Sequence, residues 1–122
     1  MYSARVLDHF QNPRNAGELP GADAEVETQN PACGDVLRLS AKLTGDQLAE
    51  VRFLARGCTA SIAAGSAITE LLRGRSLTEA RALRREQLVE ALDGLPTEST
   101  HASYLAMDAL KALIEKLAKP KA

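Results

Sequence analysis

The chain has no tryptophan, two phenylalanines, two tyrosines and only two cysteines among its 122 residues. So few rings cannot build a stacking platform for single-stranded nucleic acid, and they leave a core to be made from Leu, Ala, Val and Ile. Neither charge sign prevails, because 15 Lys and Arg offset 16 Asp and Glu. That balance sets up no attractive field for a polyanion, so no nucleic-acid partner is expected. Arginines crowd in "RGRSLTEARALRR", but Glu79 interrupts them and Glu86 and Glu90 follow, which reads as a solvated helical face. No apolar run is long enough to span a bilayer, and no signal-peptide core follows Met1. The expected setting is the cytoplasm, without a membrane partner. There, two cysteines favour metal or thiol chemistry over a structural disulfide.

What is present reads as one domain, residues 1–122, with enough chain to bury a core without covalent staples. "YSARVLDHFQNPRNAG" is a short helix with Val6, Leu7 and Phe10 on one side, stopped at Asn12-Pro13. A Gly- and Pro-marked loop leads to a weak strand, "AEVET". The clearest strand is "DVLRLSAKL", where Leu37, Leu39, Ala41 and Leu43 alternate with Arg38, Ser40 and Lys42. "TGDQ" turns the chain, and "AEVRFLAR" returns with Val51, Phe53 and Ala55 on its apolar face. Matching the two apolar faces pairs Leu39 with either Val51 or Phe53. The Val51 register sets Arg38 opposite Arg52, which favours the Phe53 register.

Beyond Cys58 the apolar period becomes helical. Ile62, Ala63, Ala67, Ile68, Leu71 and Leu72 form a stripe that Gly74 closes. Ser76 and Glu79 form a capping box, and one or two short helices run to "LDGLP". A last helix, from about Glu98 to Leu117, buries Leu105, Ala106, Ala109, Leu110, Leu113 and Leu117 and turns Asp108, Lys111, Glu115 and Lys119 outward. The expected fold class is α+β, a three-stranded antiparallel sheet with helices on one face. Arg38, Lys42, Glu50 and Arg52 should line the wet face.

Either hairpin register leaves Cys33 and Cys58 just beyond the same end of the sheet. Adjacent strands lie about 4.8 Å apart, so the thiols can converge. In "PACGD", Gly34 permits a tight turn and Asp35 adds a carboxylate two residues from Cys33. Cys58 follows Gly57 and opens a helix, where the unpaired N–H groups favour thiolate. A lone cysteine is most simply a small buried hydrophobe. Two at one end of a hairpin, each beside a glycine, point to a shared site. His101 begins the last helix, a place where a histidine is by default a surface residue, and His9 reads as structural. Asp8, Asp108 and the arginines read as solvated. Ser61, Ser66 and Ser103 lack a nucleophile-elbow context, so a hydrolase, and an enzyme generally, is not expected.

Taken in order, "YSARVLDHFQNPRNAG", "PACGDVLRL", "RFLARGCTASIAAGSAITELLRGRSLTEA" and "HASYLAMDALKALI" resemble the IscU/NifU N-terminal-type iron–sulfur cluster assembly scaffolds over roughly residues 2–117. The resemblance implies the IscU/SufE-like fold. It also implies a transient [2Fe–2S] cluster built from sulfur of a cysteine desulfurase and passed to apo iron–sulfur proteins, with zinc as an occupant of the apo site. On that basis Cys33 and Cys58 match the first two cysteine ligands, Asp35 the aspartate that tunes cluster lability, and His101 the histidine before the third cysteine. The chain departs at the next position, where it has Ala102. "LPTES" also replaces the L-P-P-V-K stretch read by a dedicated Hsp70-type chaperone, so that recognition is not expected.

Cys33, Asp35, Cys58 and His101 would complete a tetrahedral set for zinc. A cluster bridging two protomers, or an empty site, are the alternatives. The first expectation is a scaffold or carrier of iron, sulfur or their cluster, monomeric or weakly dimeric. The alternatives are a zinc- or thiol-dependent sulfur acceptor, and a degenerate interaction or regulatory module of the same fold.

Overall fold

The computed structural model describes residues 1–31 and 34–118. Cys33 and Lys119, both singled out from the sequence, lie outside the described residues. The elements run α1 (Ala4–Gln11), β1 (Ala24–Gln29), β2 (Val36–Thr44), β3 (Gln47–Arg56), α2 (Thr59–Leu72), α3 (Leu77–Ala82), α4 (Arg85–Ala91), a 3₁₀ turn (Thr97–Ser99) and α5 (Thr100–Ala118). The three strands form one antiparallel sheet in the order β1-β2-β3, as the alternating pattern predicts.

The hairpin takes the register that separates the two arginines: Leu39 faces Phe53 and Arg38 faces Leu54. The turn is shorter than "TGDQ", because Thr44 already pairs with Gln47 and Gly45 supplies the left-handed residue, with φ 63°. A bulge between Lys42 and Leu43 shifts the pairing near this tip.

Leu37, Leu39, Ala41, Val51 and Phe53 are buried beneath the helices. The opposite face is less wet than the alternation implies. Arg38, Lys42, Glu50 and Arg52 are half-exposed, and Ser40 among them is buried. Its hydroxyl reaches Glu25 Oε2 at 3.4 Å, while Arg38 pairs with Glu25 and Glu27 across the strands.

Helix α2 is the centre of the molecule and is buried on more sides than the predicted stripe. Ala60, Ser61, Ala63, Ala64, Gly65, Ser66, Ala67, Ile68, Thr69 and Leu72 are all buried, whereas Ile62 and Leu71 are half-exposed. Small residues allow this, since they let the sheet and the other helices close around most of the helix, leaving Glu70 exposed on its outer side. At Gly65 an added Cβ would strike the Phe53 ring and Leu37, so this glycine sets how closely α2 approaches the sheet. The capping box forms as read: Glu79 N–H donates to Ser76 Oγ, and Ser76 N–H to Glu79 Oε1. Helix α5 starts one 3₁₀ turn later than predicted and buries Leu105, Ala106, Ala109, Leu110 and Leu113, with Leu117 partly covered.

The first helix corrects the sequence reading. Val6 and His9 are buried, while Leu7 and Phe10 are 40% and 39% exposed. Val6 and His9 are three residues apart and share the side that meets α2; Leu7 is turned off it. Not all arginines are solvated either. Arg14 is half-buried, with its guanidinium on Asp8 at 2.6 Å, and Arg85 lies 4.7 Å from the centre of the Tyr104 ring. Among the described residues no helix is long and apolar enough to cross a membrane.

Candidate metal centre

Three separate segments deliver side chains to the open end of the hairpin. Asp35 immediately precedes β2, Cys58 is the N-cap of α2, and His101 lies in the first turn of α5. Two backbone hydrogen bonds tie Gly34 and Asp35 to Asn30: Gly34, at φ 76°, donates its N–H to Asn30 O, and Asn30 N–H donates to Asp35 O. This turns the Asp35 side chain inward, where it is buried.

A buried carboxylate needs polar partners, and Ser61 is one. Its hydroxyl donates to Asp35 Oδ2 at 2.5 Å. The same oxygen lies 3.3 Å from His101 Nε2, which in turn is 3.7 Å from Cys58 Sγ. One donor atom from each of Asp35, Cys58 and His101 therefore lies within 4.8 Å of the other two. Cys58 and His101 are only partly buried, so the cluster opens to solvent. Gly57 admits the carboxylate: its φ of 146° favours glycine, and a Cβ there would overlap Asp35.

The choice of atoms separates two kinds of chemistry. In a nucleophilic relay, histidine uses one ring nitrogen for the nucleophile and the other for the carboxylate. Here a single nitrogen, Nε2, faces both Cys58 and Asp35. Thiol, imidazole and carboxylate converge on one point, the arrangement that coordination of a cation requires. Soft sulfur, intermediate nitrogen and hard oxygen are donors that zinc and iron both accept.

The whole chain, residues 1–122, matches the family described as the NifU-like N terminal domain. The chain belongs to this family. It is 44% identical over 117 residues to the iron–sulfur cluster assembly scaffold protein IscU of Haemophilus influenzae, an alignment covering 93% of this chain and 92% of that protein. It is 42% identical over 114 residues to iron–sulfur cluster assembly scaffold protein IscU 1 of Archaeoglobus fulgidus, covering 93% and 74% respectively. The crystal structure of a nitrogen-fixing NifU-like protein (N-terminal) from Brucella abortus has the same fold, with a TM-score of 0.76 over 94% of this chain and 92% of that one, at 18% identity.

Of the four site residues named from this NifU-like sequence, the structure brings Asp35, Cys58 and His101 together; Cys33 lies outside the described residues. Ala102, at the position the resemblance gives to a third cysteine, is fully buried and packed in the hydrophobic core. Ser61 is the residue the sequence reading missed. It lies one helical turn beyond Cys58, so the two share a side of α2 and their Oγ and Sγ atoms are 3.4 Å apart. That i, i+3 spacing was the available signal.

Proposed function

We propose that this chain is an iron–sulfur cluster assembly scaffold. The cluster is cargo: iron and sulfur are assembled on the protein and then released to apo iron–sulfur proteins, with sulfur supplied by a cysteine desulfurase. The observation that carries this is the convergence of donor atoms from Asp35, Cys58 and His101 at a half-open site, in a chain whose relatives are named as scaffolds.

The donor set fits cargo that must leave. Clusters held permanently are usually ringed by four thiolates. With alanine at 102, no thiol comes from that position, and an aspartate and a histidine stand beside Cys58. Thiolates are the donors that iron–sulfur clusters select, so a carboxylate and an imidazole in their place hold a cluster less firmly. Cys33 is the fourth ligand in this reading. A [2Fe–2S] cluster is the proposed cargo, and zinc can take the same donors. The protein's part is to bind and aim rather than to turn over a substrate.

Anaerobic reconstitution with ferrous iron and sulfide tests this. Wild type should gain the visible absorbance of a cluster together with acid-labile sulfide, and Cys58→Ala should gain neither. Equal incorporation by the two proteins, or none by wild type, would overturn it.

A second reading has its own support. Cys58 is partly exposed at the start of α2, and its side chain makes no capping hydrogen bond. Its thiolate can attack the outer sulfur of a desulfurase persulfide. That forms a persulfide on Cys58 and releases the desulfurase cysteine as a thiolate. A mass increase of one sulfur atom on Cys58, reversed by a thiol reductant, would identify this route.

A further inference from the structure

The residue that the function does not yet use is Ser61. It is 1% exposed, donates to Asp35 Oδ2 at 2.5 Å and lies 3.4 Å from Cys58 Sγ. It thus touches two of the three groups that converge at the site, and touches Asp35 at the same oxygen that faces His101. We infer that Ser61 is the positioning residue of the cargo site, fixing Asp35 Oδ2 toward the point it shares with Cys58 Sγ and His101 Nε2. This rests on the scaffold reading of the cluster.

The physical case begins with the carboxylate. The terminal torsion of aspartate is broad, so a buried Asp35 has no intrinsic preference for which oxygen it presents. A fixed hydroxyl removes that freedom. Ser61 is fixed because it sits on α2, the most enclosed helix of the protein, and its own N–H is bound to Cys58 O at 3.1 Å. Gly57 acts on the same side chain from the other side, since only a residue without a Cβ leaves space for Asp35. One residue opens the space and the other sets the direction. Residues that support a ligating side chain in this way are worth roughly 10- to 100-fold in metal affinity when removed.

A residue that merely satisfies a buried carboxylate would make the same hydrogen bond, so the test must separate the two roles. Cobalt(II) is the probe, because a thiolate–cobalt charge-transfer band and the ligand-field bands report binding and geometry together. The full chain is titrated anaerobically as wild type, Cys58→Ala, Ser61→Ala, Ser61→Thr, Asp35→Ala and the Asp35→Ala/Ser61→Ala double variant. Metal-free thermal unfolding of each is followed alongside.

The expected result is a loss of roughly 10- to 100-fold in cobalt affinity for Ser61→Ala, with altered ligand-field bands and with the affinity recovered in Ser61→Thr. In the Asp35→Ala background the same substitution should have no further effect, because Ser61 acts through Asp35. Ser61→Ala binding as tightly as wild type, or losing the same factor with and without Asp35, would overturn the assignment while leaving the scaffold reading intact. A wild type with no charge-transfer band that depends on Cys58 would overturn both.

Discussion

His9 and His101 both come from helices that pack against α2, and the two rings are held differently. His9 is buried, with its nitrogens engaged on opposite sides: Nδ1 lies 2.8 Å from Ser66 Oγ, and Nε2 lies 3.8 Å from Glu70 Oε1. Ser66 also accepts the Arg14 N–H at 2.8 Å, and Asn15 Nδ2 donates to Thr69 Oγ1. A neutral ring with its proton on Nε2 satisfies all of these, since the Ser66 hydroxyl then donates to Nδ1 while accepting from Arg14. This network clamps α1 and the following loop onto α2. The loop continues along the edge of β3, with Gly17 N–H on Phe53 O and Phe53 N–H on Asn15 O. His101 is half-exposed, and one nitrogen meets both a thiol and a carboxylate. The first ring is a strut within the fold, and the second is presented outward as a donor. The difference lies in how many sides of each ring are used, not in residue type.

Substitution at the two rings should therefore give opposite results. The larger effect is expected at the donor ring. His101→Ala should weaken zinc or cobalt binding by more than the 10- to 100-fold typical of a supporting residue, while metal-free stability changes by less than about 1 kcal/mol, as at other partly exposed positions. Competition titration and urea unfolding measure the two quantities. A His101→Ala protein that keeps its metal affinity but loses stability would make His101 a second strut and end the contrast.

The strut should behave in reverse. His9→Ala removes a buried hydrogen-bonding ring that Ser66 and Glu70 both face, at a cost of about 1–3 kcal/mol in unfolding free energy. Metal affinity should stay at the wild-type value, because Ser66 is more than one helical turn beyond Ser61 on α2. A variant with normal stability and weakened metal binding would show that the clamp and the site are one network.

Much of this contrast was readable from sequence, for identifiable reasons. The hairpin register followed from charge, because only one apolar match kept Arg38 from facing Arg52, and Leu39 does pair with Phe53. His9 was read as structural and is buried in that role. Cys58 is legible from its place beyond the hairpin and beside a glycine, whereas Asp35 and His101 enter the site only through the family resemblance; these three do converge, and Cys33 lies outside the described residues. Periodicity failed in two ways, by missing how many sides of a helix are covered and by misplacing the centre of a narrow buried stripe. It gave α2 one stripe when the sheet and other helices enclose most of it, and it put Leu7 and Phe10 with Val6 when only Val6 and His9 face α2. Ser61 stayed hidden for a related reason. In "TASIAAGSA" it is one small residue among many, and its spacing from Cys58 marks a shared side of α2 without showing that Asp35 meets it there.

The smallest predicted effect is a slope, and it isolates the strut from every other group. Burial, first, and the Arg14 guanidinium, next, hold His9 below the ordinary imidazole value of 6.5, against the opposite pull of Glu70 and Asp8. Above that value the ring is neutral in both folded and unfolded chains and adds no pH dependence. As pH falls through about 6.5 the unfolded chain takes up a proton that the folded protein still refuses. The unfolded state then binds more protons, so stability falls with falling pH, by at most about 1.4 kcal/mol per pH unit for one group. The loss levels off once the folded ring is protonated too. Asp8 also has a lowered value, chiefly from its hydrogen bond to Arg14, but its ordinary value is 3.8. Its contribution is present above that value and is lost only at more acid pH, in a separate window. Urea unfolding of wild type and His9→Gln from pH 7.5 to 5 should thus show a downward slope in the first and a flatter profile in the second. Parallel profiles would mean that His9 takes up its proton as readily in the fold as out of it, and the ring could no longer be called a neutral strut.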